Sequence, residues 1–177
     1  MTERDFILHE DFDERIKSLY NTAFPDDERI PWNYILRLSE ELSLETTAYY
    51  EGDDFVGFTI FYPRDGVGWW WYFAVEENLR GKGYGQEILD RFRQRHADRP
   101  FILDIESPRQ KSDNIDQRQR RYDFYVRNGL RDTGVGRSFY GVEYAILISD
   151  DSPFSREDYE KIIAEARRNW PPDEIDN

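Results

Sequence analysis

Two periodicities divide the chain. Phe12, Ile16, Leu19, Tyr20 and Ala23 recur at the 3.6 spacing of an amphipathic helix over 12–23. Phe24-Pro25-Asp26-Asp27 ends it, because proline disfavours helical backbone at the residue before it. Pro31 suits the first turn of a second helix through Ile35, Leu36, Leu38 and Leu42. A short strand, "RDFILH" (4–9), precedes both. From Thr46 the period changes to two. The run "TTAYYEGDDFVGFTIFYPRDGVGWWWYFAV" holds three extended segments, broken at Gly52-Asp53-Asp54 and at Pro63-Arg64-Asp65-Gly66, and reads as an antiparallel meander. Its last segment, 67–75, is apolar on both parities, as expected of a strand covered on both faces.

Helical spacing returns after "NLRGKGYG" (78–85), with Tyr84, Ile88, Leu89, Phe92 and His96 on one stripe. "FILDIE" (101–106) reads as a buried strand, and 116–128 as a helix stopped by Asn128-Gly129. Strands over 130–138 and 140–149 follow, then a helix over 155–169 carrying Tyr159, Ile162, Ile163 and Ala166. The order is β-α-α-β-β-β-α-β-α-β-β-α. A strand–helix–strand unit near the centre requires a parallel crossover. The prediction is an α/β protein with a mixed sheet of about seven strands and helices on both faces. One domain covers 1–149, and 150–177 forms an extension with one helix and a polar tail, "WPPDEIDN", expected to lack order past Trp170.

Composition narrows the chemistry. The 177 residues include 12 Phe, 12 Tyr and 5 Trp, so much of the core must be rings. There is no Cys, which excludes disulfides, thiolate metal sites and a Cys nucleophile. The net charge of −13 is concentrated at the start: residues 1–60 hold 5 basic and 15 acidic residues. That balance argues against nucleic-acid partners, whose affinity comes from neutralising phosphates. The absence of a leader-like or membrane-length apolar run makes a cytoplasmic protein the expectation. The two histidines, His9 and His96, are expected to be structural.

The glycine loop carries the first chemical signal. Gly81, Gly83 and Gly85 alternate just before a helix that no Ser, Thr, Asp or Asn caps. Glycines there let successive N–H groups converge on an anion, reinforced by the helix dipole. The spacing is neither that of the nucleoside-triphosphate loop nor that of the dinucleotide fingerprint.

"FAVEENLRGKGYG" resembles motif A of the GNAT superfamily, the Gcn5-related N-acetyltransferases, whose signature is Arg/Gln-x-x-Gly-x-Gly/Ala. Arg80, Gly83 and Gly85 fall on its fixed positions. "RRYDFYVRNGL" resembles a later motif of the same family, and "FPDDERIPW" and "IESP" look like a bacterial branch of it. The resemblance implies the GNAT fold, acetyl-CoA as co-substrate, and no metal. It implies that the amides from Gly81 through Lys82, Gly83, Tyr84 and Gly85 to Gln86 seat the pyrophosphate. Phe73, Ala74 and Val75 would pair with the pantetheine arm, and Arg80 and Lys82 would attract phosphates. Arg118 stands where many members place a cofactor-contacting Asn.

The same resemblance assigns Tyr125 as the general acid for the departing thiolate. Some members use a Glu base at the position that is Trp69 here, and others an acid on the fifth strand, where the resemblance implies Asp104 or Glu106, two apart and therefore on one face. Asp26, Asp27 and Glu28, between the first two helices, are expected to attract a cationic small-molecule or peptide amine. The implied function is N-acetylation of a primary amine in a ternary complex. An acyl-CoA-binding module without turnover and a structural protein remain open readings, and the last helix could join two subunits.

Overall fold

The computed structural model describes residues 1–24, 29–139 and 141–168. Its elements are β1 (Thr2–Phe6), α1 (Glu14–Ala23), α2 (Trp32–Glu41), β2 (Glu45–Glu51), β3 (Asp54–Tyr62), β4 (Gly68–Val75), α3 (Tyr84–Arg95), β5 (Phe101–Glu106), α4 (Ile115–Arg127), β6 (Arg131–Phe139), β7 (Val142–Ile148) and α5 (Arg156–Arg167). The predicted order stands. Two boundaries move for local reasons. Glu10 and Asp11 both donate to the Ile7 carbonyl, so a turn ends β1 at Phe6 and places His9 outside the strand. Asp13 accepts from the Arg15 N–H and caps α1, which starts at Glu14 rather than Phe12. Phe24 closes α1 in extended backbone ahead of Pro25.

The seven strands run in the order β1-β2-β3-β4-β5-β7-β6. Every pairing is antiparallel except β4 with β5. That parallel pair is short: only Gly68↔Phe101 and Trp69↔Ile102 are in register. Beyond Trp69 the two strands diverge, so β4 from Trp70 to Val75 is paired with β3 alone. A bulge sits at the same place. Ile60 faces Tyr72 while Phe61 faces Trp70, which leaves Trp71 as an extra residue in β4.

Three apolar clusters bind the layers. Ile16, Leu19, Tyr20, Ile35 and Leu38 of α1 and α2 pack on Phe58, Ile60 and Tyr72. Ile88, Leu89 and Phe92 of α3 and Tyr125 of α4 pack on Trp70, Leu103 and Ile105 on the other face. Tyr159, Ile162 and Ala166 of α5 cover Trp69, Ile102, Ile146 and Ile148. α5 is also clamped by two bonds from Arg64 to Glu165, both 2.7 Å. The ring-rich core follows the composition: Trp70 stacks on Phe92 at 4.1 Å and on Phe73 at 4.9 Å. His96 closes α3 as its C-cap, in ring contact with Phe61 and Phe92, and burial pulls its pKa down to about 4. Its neutral imidazole serves packing.

Candidate active site

The divergence of β4 from β5 opens a cleft of about 940 Å³ through the sheet. One end is main chain. A short 3-10 turn, Glu77–Leu79, leads from β4 into the glycine loop. Gly81 and Gly83 take φ of 75° and 92°, the left-handed region that a side chain would strain. Gly83 is the N-cap of α3 and no side chain caps the helix. The first intrahelical bond there is from the Glu87 N–H to the Gly83 carbonyl, 3.1 Å. The N–H groups of Tyr84, Gly85 and Gln86 precede it and aim outward, a seat for an anion at the positive end of the dipole. Arg80 donates from Nε to the Val75 carbonyl at 3.2 Å, which ties the loop to the end of β4.

Most of the residues expected on this side line the cleft: Phe73, Ala74, Val75, Arg80, Gly81, Gly83, Gly85 and Gln86. Lys82 is exposed and Tyr84 packs partly buried on the α3 core, both outside the lining. Arg118 is a correction. It does not line the cleft but is buried beside Glu106, with Nη2 2.7 Å from the Glu106 carboxylate. Its Nε and Nη1 donate to the side-chain oxygens of Asn114 (2.8 Å) and Gln110 (3.2 Å). A guanidinium reaches a strand-end carboxylate that an Asn in its place could not neutralise, so the side chain turns toward β5.

The residues expected to do the chemistry lie where β5 and α4 face the cleft. Tyr125 is 6% exposed, its hydroxyl takes no hydrogen bond among the described residues, and it borders the cleft. Burial pushes its pKa up to about 12, against a smaller opposing effect of Arg121. Asp104 and Glu106 also line the cleft, but neither is free. Asp104 accepts from Trp69 Nε1 (2.9 Å) and the Tyr159 hydroxyl (2.9 Å) and lies 3.1 Å from Arg137 Nη2. Glu106 is paired with Arg118 and, at 3.4 Å, with Arg121. Asp26, Asp27 and Glu28 lie outside the described residues, as does the tail from Trp170.

Several lining residues escaped sequence reasoning. Arg137, Phe139 and Tyr144 reach the cleft from β6 and β7, Phe24 from the end of α1, and Trp71 through the β4 bulge. No linear spacing announces them, since the bulge and the cross-strand register decide where they point.

The model of the Acetyltransferase (GNAT) family matches residues 9–130. The chain is a member of this family. No curated protein matches it by sequence. Among solved structures, a GNAT-family protein from Bacteroides thetaiotaomicron is similar with a TM-score of 0.72 and 18% identity, over 94% of this chain and 96% of that one. An aminoglycoside 6'-N-acetyltransferase complexed with coenzyme A gives 0.63 and 16%, over 88% and 99%. The ribosomal-protein-S18-alanine N-acetyltransferase of Escherichia coli gives 0.61 and 12%, over 88% and 97%. At such identities the likeness establishes the GNAT fold. The family match ends at Leu130, so β6, β7 and α5, with Arg137, Tyr144 and Tyr159, fall beyond it. Among the described residues no helix is long and apolar enough to cross a membrane.

Proposed function

We propose that this GNAT member transfers an acetyl group from acetyl-CoA to a primary amine by direct attack in a ternary complex. The observation that carries this reading is the conjunction in one cleft of three features. These are the uncapped glycine loop, the unpaired edge of β4 and the unpartnered hydroxyl of Tyr125. The loop amides would hold the pyrophosphate. The backbone groups of β4 between Phe73 and Val75 that β3 leaves unpaired would pair with the pantetheine amides, as an added strand pairs with a sheet edge. A β4 N–H is the natural donor to the oxyanion of the tetrahedral intermediate.

In the reaction the amine lone pair forms the C–N bond and the thioester C–S bond breaks. The thiolate takes the phenolic proton of Tyr125, the proton lost by nitrogen leaves through water, and water returns a proton to the Tyr125 phenolate. Burial suits Tyr125 to this task, because a phenol raised to about 12 stays protonated over the whole neutral range. The oxygens of Asp104 and Glu106 are already engaged by donors. In this reading both carboxylates position arginines rather than serve as the base.

Calorimetry with acetyl-CoA and thiol release with a panel of amines test the proposal. Tyr125→Phe should lower kcat by about 10²-fold with the affinity for acetyl-CoA unchanged. The wild-type rate should show no fall from Tyr125 ionisation across the neutral range, because its pKa is pushed up to about 12. Lack of acetyl-CoA binding overturns the reading. Tight binding without turnover on any amine turns the chain into a binding module, and equal turnover in Tyr125→Phe removes Tyr125 from the chemistry.

A further inference from the structure

The β5–β7–β6 end of the cleft has its own recognition chemistry. Glu106, Tyr144 and Arg137 are register partners across three adjacent strands and form one row on one face of the sheet. The Arg137 guanidinium lies over the rings of Tyr144 (4.9 Å) and Phe139 (5.1 Å). Its ion pair with Asp104 is its one charge contact among the described residues, and its Nε is buried without a hydrogen-bond partner. The side chain is 23% exposed, and that exposure opens on the cleft. The guanidinium therefore borders the cavity with N–H groups that the Asp104 pair leaves unused. The local charge points the same way. Among the described residues the lining carries Arg80, Arg120, Arg121, Arg127 and Arg137 against Glu77, Asp104 and Glu106, five cations to three carboxylates. An added anion meets a net positive site, and an added cation does not.

The rest of the end fixes the fork in place. Asp104 is held by Trp69 from β4 and by Tyr159 from α5, so its carboxylate presents one orientation to Arg137. Both rings lie against the guanidinium and limit its rotation. A guanidinium that is half-desolvated, oriented and left with unused N–H groups recognises a carboxylate through two parallel N–H···O bonds.

Resting on the acetyltransferase reading above, we propose that the acceptor amine carries a carboxylate, and that Arg137 seats it at the end of the cleft built by β5, β6 and β7. Arg137 is then the specificity-determining residue. Asp104 and Tyr159 are positioning residues that act through it.

The test is a matched series of amines that share one carbon skeleton and carry a carboxylate, a carboxamide or a hydrogen at the same carbon. Each is titrated by calorimetry into the CoA-loaded protein and assayed for thiol release. Wild type should bind and acetylate the carboxylate members at least tenfold better than the carboxamides. Arg137→Gln should erase that preference, and Arg137→Lys should restore only some of it, because an ammonium supplies charge without the fork. Acetyl-CoA affinity should be the same in all three proteins, which guards against a folding defect. Tyr159→Phe should raise KM for the carboxylate amine while leaving kcat within about twofold. Equal use of carboxylate and carboxamide by wild type overturns the proposal with the acetyltransferase reading intact. So does an equal loss for all amines in Arg137→Gln, and so does failure of every carboxylate to bind. Loss of acetyl-CoA binding by wild type would instead overturn the underlying reading.

Discussion

Along the glycine loop the cleft is walled by main chain: the amides of the loop, the first turn of α3 and the unpaired edge of β4. At the β5–β7–β6 end it is walled by side chains, Arg137, Asp104, Tyr144 and Phe139, drawn from separate strands. The first end depends on backbone angles that a few glycines permit. The second depends on which side chains meet across the sheet, and some of it lies beyond the segment that the family model matches. A backbone site can stay the same while most side chains change, because nearly every residue has the same N–H. A side-chain site changes its ligand with a single substitution. In the proposed reading the backbone end holds the cofactor and is what a whole family can share, whereas the side-chain end is free to differ from member to member.

The comparison can be broken by perturbing each end separately. The largest effect is expected at the side-chain end. Arg118→Ala would leave Glu106 buried with only the partly exposed Arg121 and a long Asn114 contact. Removing one partner of a buried pair costs about 3 kcal/mol or more, which for a chain of this size lowers Tm by roughly 6–12 °C. A thermal scan that shows no change would mean that the pair does not support the fold. A middle effect is expected at the backbone end. Gly83→Ala places a side chain at φ 92°, a strain on the order of 1–3 kcal/mol. KM for acetyl-CoA should rise about tenfold, with KM for the amine unchanged. If the amine KM rises equally, the two ends are not independent.

The smallest effect concerns pH. His96 is neutral in the fold because its pKa falls from 6.5 to about 4. The unfolded chain binds the proton more readily, so the contribution of His96 to stability is present above pH 6.5 and is lost as pH falls toward 4. Arg95 and Arg99 add to the burial effect, while Asp98 and Asp5 oppose it. His96→Phe should flatten that portion of the acid-unfolding curve. An unchanged slope between pH 4 and 6.5 would show that the imidazole is not the group that titrates.

The element order was readable because each segment carries its own period and its own stops. The alternation from Thr46 to Val75 and the stripe from Tyr84 to Phe92 became β2, β3, β4 and α3 with small boundary shifts. Asp13 shows why boundaries slip: a cap is a hydrogen-bond decision made by one side chain, and the apolar pattern begins one residue before it. The glycine loop was readable because it is defined by backbone conformation, which glycine records directly in the sequence. Asp104 and Glu106 were rightly placed as neighbours on one strand. Their partners were not readable, since Tyr159 is 55 residues from Asp104 and Arg118 was expected to face the cofactor.

By itself the sequence determined the elements, the uncapped anion seat before α3 and the presence of Tyr125 on a helix after β5. These follow from interactions between residues close in the chain. Only the tertiary structure decided that β4 and β5 separate after Trp69, that Trp71 is extruded by a bulge, and that Arg118 turns to Glu106 while Arg137 turns to the cleft. Those outcomes depend on strand register and on which charges find each other after packing. Register and ion pairing are set between residues far apart in sequence, where no local period leaves a trace.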